Sequence, residues 1–143
     1  MFLSGLIAVA ISAAGVRERV ISDGSIRVAM NEDDVRAACA FFAREGVDTV
    51  AISFVWSVIN PKHERRAAEI VREMLPKAIL TVGSELYPQV REYTRTSTAV
   101  VNAYLAPVMR RYVKAVDEYF RSLGAKQPVR YFQSNGGLAI GQA

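Results

Sequence analysis

Cysteine and histidine are almost absent from the sequence, which has one of each among 143 residues. The single cysteine, Cys39, excludes an internal disulfide framework and a cysteine-based zinc cluster, and it agrees with a reducing cytoplasm. The single histidine, His63, excludes a catalytic histidine pair and a multi-histidine metal site. We interpret Cys39, which lies among apolar helical residues, as a buried and inert thiol. We interpret His63, in the first turn of a predicted helix, as a structural residue on a solvated surface.

The sequence also lacks a run or patch of one charge. Its 18 basic and 14 acidic residues give a net charge of +4, but both signs are scattered along the predicted helices. This distribution is typical of solvated helix faces and argues against nucleic-acid binding.

Long hydrophobic runs are missing as well, so no segment reaches the roughly 20 apolar residues that a membrane-spanning helix requires. The opening residues 2–14 carry no charge, but they also lack the basic start of a secretory signal. We interpret them as a buried element of the fold or a segment foreign to it, and a secretory signal stays open as the alternative.

Strand and helix patterns alternate along the rest of the chain, which is long enough for one sizeable core. Residues 16–20 and 26–28 predict a hairpin around Asp23-Gly24, and Asn31 caps a helix over residues 32–45. The further predicted elements are a buried strand at 48–56, a helix from Asn60-Pro61 to 75, a strand at 79–82, an irregular stretch at 83–94, a helix at 95–123 kinked at Pro107, and a buried strand at 129–132. This order predicts an α/β fold, with a mixed sheet and flanking helices.

Two segments concentrate the polar groups that a binding site needs. Residues 84–98 contain two carboxylates and two guanidiniums, from Glu85, Arg91, Glu92 and Arg95. The alternative is structural, with hydroxyls that cap the following helix and arginines that pair with the glutamates.

The second polar segment follows the last predicted strand and contains Ser134, Asn135, Gly136 and Gly137. Ligands of open α/β sheets bind at the carboxyl ends of strands, where glycine lets the main chain approach them closely. An ordinary turn is the alternative reading of the same glycines.

Several motifs, taken together, resemble the hydantoinase A and 5-oxoprolinase (N-methylhydantoinase) family in order and spacing. They are Phe54-Val55-Trp56-Ser57, Asn60-Pro61-Lys62-His63-Glu64-Arg65-Arg66, Glu85, Arg91-Glu92-Tyr93-Thr94-Arg95-Thr96-Ser97-Thr98, Asn102-Ala103-Tyr104-Leu105-Ala106-Pro107 and Gln133-Ser134-Asn135-Gly136-Gly137. The similarity covers about residues 16–137, whereas residues 2–14 do not look like that family.

The resemblance implies an internal segment of an ATP-dependent enzyme with an actin or sugar-kinase type of fold, which opens the ring amide of hydantoins or 5-oxoproline. It implies that residues 15–127 belong to the N-terminal hydantoinase/oxoprolinase domain and that residues 128–143 begin the hydantoinase A domain, after an apolar segment at 1–14. ATP and Mg²⁺ are implied for the parent protein. Its two phosphate-binding signatures, of the form D-x-G-G-T, would lie outside this segment, so we expect the isolated chain to bind neither cofactor and to be inactive.

Under the same resemblance, the residues of both polar segments line the cleft between the two halves of the fold, and no catalytic residue or metal ligand is assigned. The expected partners are a small cyclic amide and a B-type hydantoinase subunit, in the cytoplasm and without nucleic acid or membrane. We also expect self-association of the isolated chain through exposed apolar surface. An acetone or acetophenone carboxylase-type subunit and a non-catalytic α/β interaction module stay open as alternatives.

Overall fold

The structure, a computed structural model, describes residues 5–9, 12–132 and 136–140. The strands in these residues are β1 (Gly5–Val9), β2 (Ser12–Val16), β3 (Arg19–Val20), β4 (Ile26–Val28), β5 (Thr49–Phe54), β6 (Ile79–Val82), β7 (Arg130–Phe132) and β8 (Leu138–Ile140). The helices are α1 (Glu32–Arg44), α2 (Lys62–Met74), α3 (Gly83–Leu86) and α4 (Glu92–Ser122). None of these helices combines the length and the apolarity needed to cross a membrane.

The main sheet has four strands in the order β2-β1-β5-β6. β5 and β6 are parallel, and β1 is antiparallel to both of its neighbours, which confirms the predicted mixed sheet. All six residues of β5 are buried, as the continuous apolar run predicted for a strand that is covered on both faces of the sheet. The uncharged opening segment supplies β1 and β2, so it is an element of this sheet.

Helices α1 and α2 contribute to the hydrophobic core together with β5. The Asn31 side chain accepts a hydrogen bond from the Asp34 N–H at 3.1 Å, which confirms the predicted cap of α1. The helix buries its apolar positions, including Cys39 and Phe42. Burial raises the pKa of the Cys39 thiol, in agreement with an inert core cysteine.

The predicted hairpin around Asp23-Gly24 is present, between β3 and β4. Gly24 has a φ of +83°, a left-handed conformation that favours glycine. The Asn60 side chain donates to the Gly24 carbonyl at 2.8 Å, which fixes the turn beside the start of α2. Val16 was predicted in this hairpin but belongs to β2, because it pairs with Gly5 in the main sheet.

The prediction of an irregular stretch over residues 83–94 was wrong at both of its ends. α3 directly follows β6, and α4 begins at Glu92. At the start of α3, the Ser84 N–H donates to the Glu64 carboxylate at 2.9 Å, so a residue distant in the sequence supplies the acceptor. Only residues 87–91 connect the two helices without regular structure.

The chain divides into two compact units, Met1–Tyr104 and Leu105–Ala143. The described part of the second unit contains the end of α4 and the β7–β8 hairpin. The predicted strand near residue 130 is confirmed as β7, but its predicted burial is wrong, since Phe132 is 84% exposed. Gly124, with a φ of +91°, lies just after α4 as expected for a helix stop.

Candidate functional site at the carboxyl edge of β5 and β6

β5 and β6 run parallel, so Phe54 and Val82 end at the same edge of the sheet. Open α/β sheets bind ligands at this edge. The two non-glycine residues with positive φ in the described chain lie in the connections that follow these strands, Trp56 at +56° and Arg91 at +124°. Such conformations are uncommon and cluster at functional sites, which makes this edge the candidate site.

Glu64 brings a fully buried carboxylate to this edge from the first turn of α2. Its Oε1 accepts the N–H of Phe54 at 2.7 Å, and its Oε2 accepts the N–H of Ser84 at 2.9 Å. Charge-assisted hydrogen bonds of this kind are stronger than neutral ones. The carboxylate therefore joins the end of β5 to the start of α3.

Arg95 brings a fully buried guanidinium to the same edge from the first turn of α4. Its Nη2 donates to the carbonyl of Phe54 at 2.7 Å, and its Nη1 donates to the carbonyl of Gln89 at 3.0 Å. Ser57 also donates to the Phe54 carbonyl, at 2.9 Å. The guanidinium therefore joins the end of β5 to the connection between α3 and α4.

Two side-chain hydrogen bonds hold α4 against the main sheet. Ser53 Oγ lies 2.7 Å from Thr96 Oγ1, and the Asn102 side chain donates to Thr81 Oγ1 at 3.0 Å. The helix approaches the sheet closely because its buried face includes the small residues Ala99 and Ala103, beside Ala51 of β5.

Gly83 is closely packed at this edge. A Cβ at this position would lie 3.0 Å from the carbonyl oxygen of Ile52, and 3.4 Å from both Arg95 Cγ and Ser53 Cβ. Any larger residue here would therefore press against the main chain of the central strand.

The residues predicted from the first polar segment lie at this edge in three different environments. Glu85 and Arg91 are exposed, Glu92 is partly buried, and Arg95 is fully buried. Two buried atoms in this group, Glu92 Oε1 and Arg95 Nε, have no hydrogen-bond partner in the described part of the chain.

The second polar segment is only partly within the described residues. Ser134 and Asn135 lie outside them, whereas Gly136 and Gly137 lie in the connection between β7 and β8. Gly136 has a φ of +85°, which is suited to a turn. Their predicted role in binding stays a prediction.

Sequence reasoning missed the burial of two polar side chains at the start of α2, those of His63 and Glu64. His63, predicted on a solvated surface, is 8% exposed, and its Nδ1 lies 2.8 Å from Oε2 of the buried Glu18. Glu64 had no predicted role beyond its place in the family motif that begins at Asn60. The periodicity of α2 places both on the face that carries Ala67 and Ile70, and that signal indicates their burial.

Two ion pairs, formed mostly by partly buried residues, connect the elements behind the site. Arg66 of α2 donates to both carboxylate oxygens of Glu32 in α1, at 2.7 and 3.0 Å. These hydrogen bonds lower the pKa of Glu32 from its ordinary value. A second pair joins Arg17 to Asp34 through its Nε and Nη2, each at 2.8 Å, and lowers the pKa of Asp34.

Metal binding does not follow from the acidic residues of the described ranges. Those ranges contain no group of three or more His, Cys, Asp or Glu side chains placed to hold a metal ion. Instead, the buried Glu64 carboxylate accepts two main-chain N–H groups, and Oε2 of the buried Glu18 lies 2.8 Å from His63 Nδ1. The described residues therefore do not fit a Mg²⁺ site by themselves.

Comparison with known proteins gives two family matches and several similar chains. The model of the hydantoinase/oxoprolinase N-terminal region matches residues 6–75, and that of hydantoinase/oxoprolinase matches residues 95–142. The caprolactamase subunit alpha of Pseudomonas jessenii is 58% identical over 123 residues, which are 86% of this chain and 18% of that protein.

Two solved structures share the fold. The crystal structure of the ATP-dependent caprolactamase from Pseudomonas jessenii has a TM-score of 0.86 and 55% identity, covering 90% of this chain and 18% of that one. A nucleotide-free structure of acetone carboxylase has a TM-score of 0.79 and 28% identity, covering 90% of this chain and 19% of that one. The chain thus spans less than a fifth of the length of these relatives.

Proposed function

Because the chain belongs to the hydantoinase/oxoprolinase family, we propose that it is a segment of an ATP-dependent hydrolase that opens cyclic amides. The observation that carries the proposal is the 58% identity to a caprolactamase subunit, over 86% of this chain. That similarity favours a lactam as the first substrate to test, ahead of the hydantoin and 5-oxoproline expected from the motifs. The actin or sugar-kinase type of fold, and the division into domains at residues 15–127 and 128–143, are part of the same proposal.

An unstrained cyclic amide is a poor electrophile, so its opening by water needs activation. ATP bound by the parent enzyme would supply a phosphoryl group for the amide oxygen. Water would then attack the activated carbon, the ring C–N bond would break with the nitrogen leaving as the amine, and hydrolysis of the resulting acyl phosphate would release phosphate. In our proposal the exposed Glu85 and Arg91 contact the polar substrate, since a guanidinium suits anionic groups and a carboxylate accepts amide N–H donors. Arg95 is fully buried, so in our proposal it affects the substrate only through the residues that it holds in place. Glu92 is partly buried, between the exposed Arg91 and the buried Arg95.

Partners, cofactors and location belong to the parent protein in this proposal. ATP and Mg²⁺ are assigned to parts of the parent outside the described residues. The similar caprolactamase chain is a subunit by name, which supports a second, B-type subunit as partner. We place the enzyme in the cytoplasm, where ATP and a reduced Cys39 are both available.

The test is a turnover assay on the full-length protein that contains this chain, purified with and without the candidate second subunit. ε-Caprolactam, 5-oxoproline and hydantoin are each supplied with ATP, and ring-opened product and ADP are quantified. We expect product to form only with hydrolysable ATP and in proportion to ADP. A non-hydrolysable ATP analogue is the control, and absence of product from all three rings would contradict the proposal.

A carboxylase subunit is the second candidate, favoured by the similarity to acetone carboxylase. The same preparation is supplied with ATP, labelled bicarbonate, and acetone or acetophenone. ATP-dependent incorporation of label without ring opening of any cyclic amide would select this candidate over the first.

A further inference from the structure

We infer that Glu64 and Arg95 are positioning residues, which hold residues 84–91 against the end of β5 and thereby place Glu85 and Arg91 for the reaction. Below, the connection means this segment, which includes the last three residues of α3. The inference rests on the proposed function. Neither side chain is open to solvent, since both are 0% exposed, so their effect on a substrate acts through the residues that they hold.

Both side chains bind the main chain of the same residue. Glu64 accepts the Phe54 N–H and Arg95 donates to the Phe54 carbonyl, each at 2.7 Å. The second oxygen of Glu64 holds Ser84, and the second terminal nitrogen of Arg95 holds Gln89. The connection is therefore attached to the central strand near its start and near its end.

The hydrogen-bond partners of these two charged side chains are main-chain groups. No ion pair in the described part of the chain includes Glu64 or Arg95. A buried charge without compensation is costly, so these main-chain groups are the only described partners that offset the cost. Movement of the connection would leave a buried charge with fewer hydrogen bonds, and this penalty restrains it.

The connection depends on these attachments because its own hydrogen bonds are local. Tyr87 N–H donates to the Gly83 carbonyl at 2.9 Å, and Gln89 N–H donates to the Tyr87 carbonyl at 2.8 Å. Arg91 then adopts a positive φ, a conformation that persists only when its surroundings fix it. Arg95 supplies that fixation through Gln89, and also through its own N–H, which donates to the Arg91 carbonyl at 3.0 Å.

The experiment compares four variants of the full-length enzyme. Arg95→Met removes both guanidinium hydrogen bonds, Arg95→Lys retains the charge without the fork, and Glu64→Gln replaces one acceptor oxygen by a donor. Glu18→Gln is the matched control, because it also changes a buried carboxylate beside the start of α2 but contacts His63 rather than the connection. Amide hydrogen exchange over residues 84–91 and steady-state kinetics with the cyclic amide are measured for each.

Exchange over residues 84–91 is expected to rise about tenfold in Arg95→Met and Glu64→Gln, with a smaller rise in Arg95→Lys and none in Glu18→Gln. kcat/KM for the cyclic amide is expected to fall about tenfold to a hundredfold in the same order, because small misplacements are costly in catalysis. If Arg95→Met does not fold, the lysine and glutamine variants carry the test.

Unchanged exchange in folded Arg95→Lys and Glu64→Gln would overturn the inference. Raised exchange with wild-type kcat and KM would also overturn it, since the residues would then be purely structural. Exchange does not depend on the substrate, so raised exchange in a protein that opens no cyclic amide, even as wild type, would reject the proposed function while supporting the attachment of the connection.

Discussion

Replacing Gly83 by alanine tests the close packing at the carboxyl edge of the sheet. Gly83 begins α3, and its φ is not positive, so alanine is compatible with its backbone conformation. The added Cβ would lie 3.0 Å from the carbonyl oxygen of Ile52, a main-chain atom in the buried central strand. It would also lie 3.4 Å from Arg95 Cγ, whose guanidinium is held by two carbonyl groups.

Two effects of opposite sign decide the size of the change. Alanine favours helix over glycine by about 1 kcal/mol at most, and α3 is only one turn long. Overpacking of a well-packed interior costs about 1–3 kcal/mol, and the neighbouring atom here is main chain that moves only with β5. We therefore expect Gly83→Ala to lower the free energy of unfolding by about 1–2 kcal/mol.

Urea unfolding of wild type and variant, followed by the fluorescence of the single tryptophan Trp56, measures the difference. Gly46→Ala is the control. No atom lies within 4 Å of its added Cβ, so its only cost is that alanine must adopt a left-handed φ of +67°. That control is expected to lose about 1 kcal/mol without changing the native fluorescence. A Gly83→Ala protein as stable as wild type would refute the argument from close packing.

Four further outcomes are expected. Asn31→Ala, which removes the cap of α1, is expected to lower the free energy of unfolding by about 1 kcal/mol in urea, and Asn31→Asp to leave it nearly unchanged. Arg17 lowers the pKa of Asp34, so this pair stabilises the fold above the ordinary carboxyl pKa of about 4, and the contribution is lost as the pH falls through the lowered pKa. When the free energy of unfolding is measured against pH, Asp34→Asn is expected to lack this acid-side decrease. Cys39 is expected to resist a thiol reagent in the native protein and to react once urea unfolds it, and native reactivity would contradict its burial. In the full-length enzyme, Arg91→Ala is expected to lower ATP-dependent ring opening about tenfold, and wild-type turnover would remove Arg91 from the proposed site.

The elements that the sequence predicts well are those specified by neighbouring residues. The buried strand β5 follows from an unbroken apolar, β-branched run, and α1 follows from the Asn31 cap and its acidic first turn. The β3–β4 hairpin follows from Asp23-Gly24. In each case the deciding interaction lies within a few residues along the chain, where a pattern is visible.

The elements that were missed depend on distant partners. α3 is held by Glu64, whose carboxylate accepts the N–H of Ser84, 20 residues away in the sequence, and β1 pairs with the distant strand β5. The candidate site shows the same division. The polar residues of the connection were predicted from composition, but the buried roles of Glu64 and Arg95 were not, because they bind main-chain groups that do not depend on the side chain of the residue they belong to.

This use of the main chain has a consequence for how the protein tolerates variation. Glu64 and Arg95 recognise the N–H and the carbonyl of residue 54, and every amino acid except proline presents both groups. The phenyl ring of Phe54 lies in the core and is constrained only by volume and polarity. Position 54 is therefore free to vary among apolar residues, whereas a change at either charged position removes the hydrogen bonds that hold it.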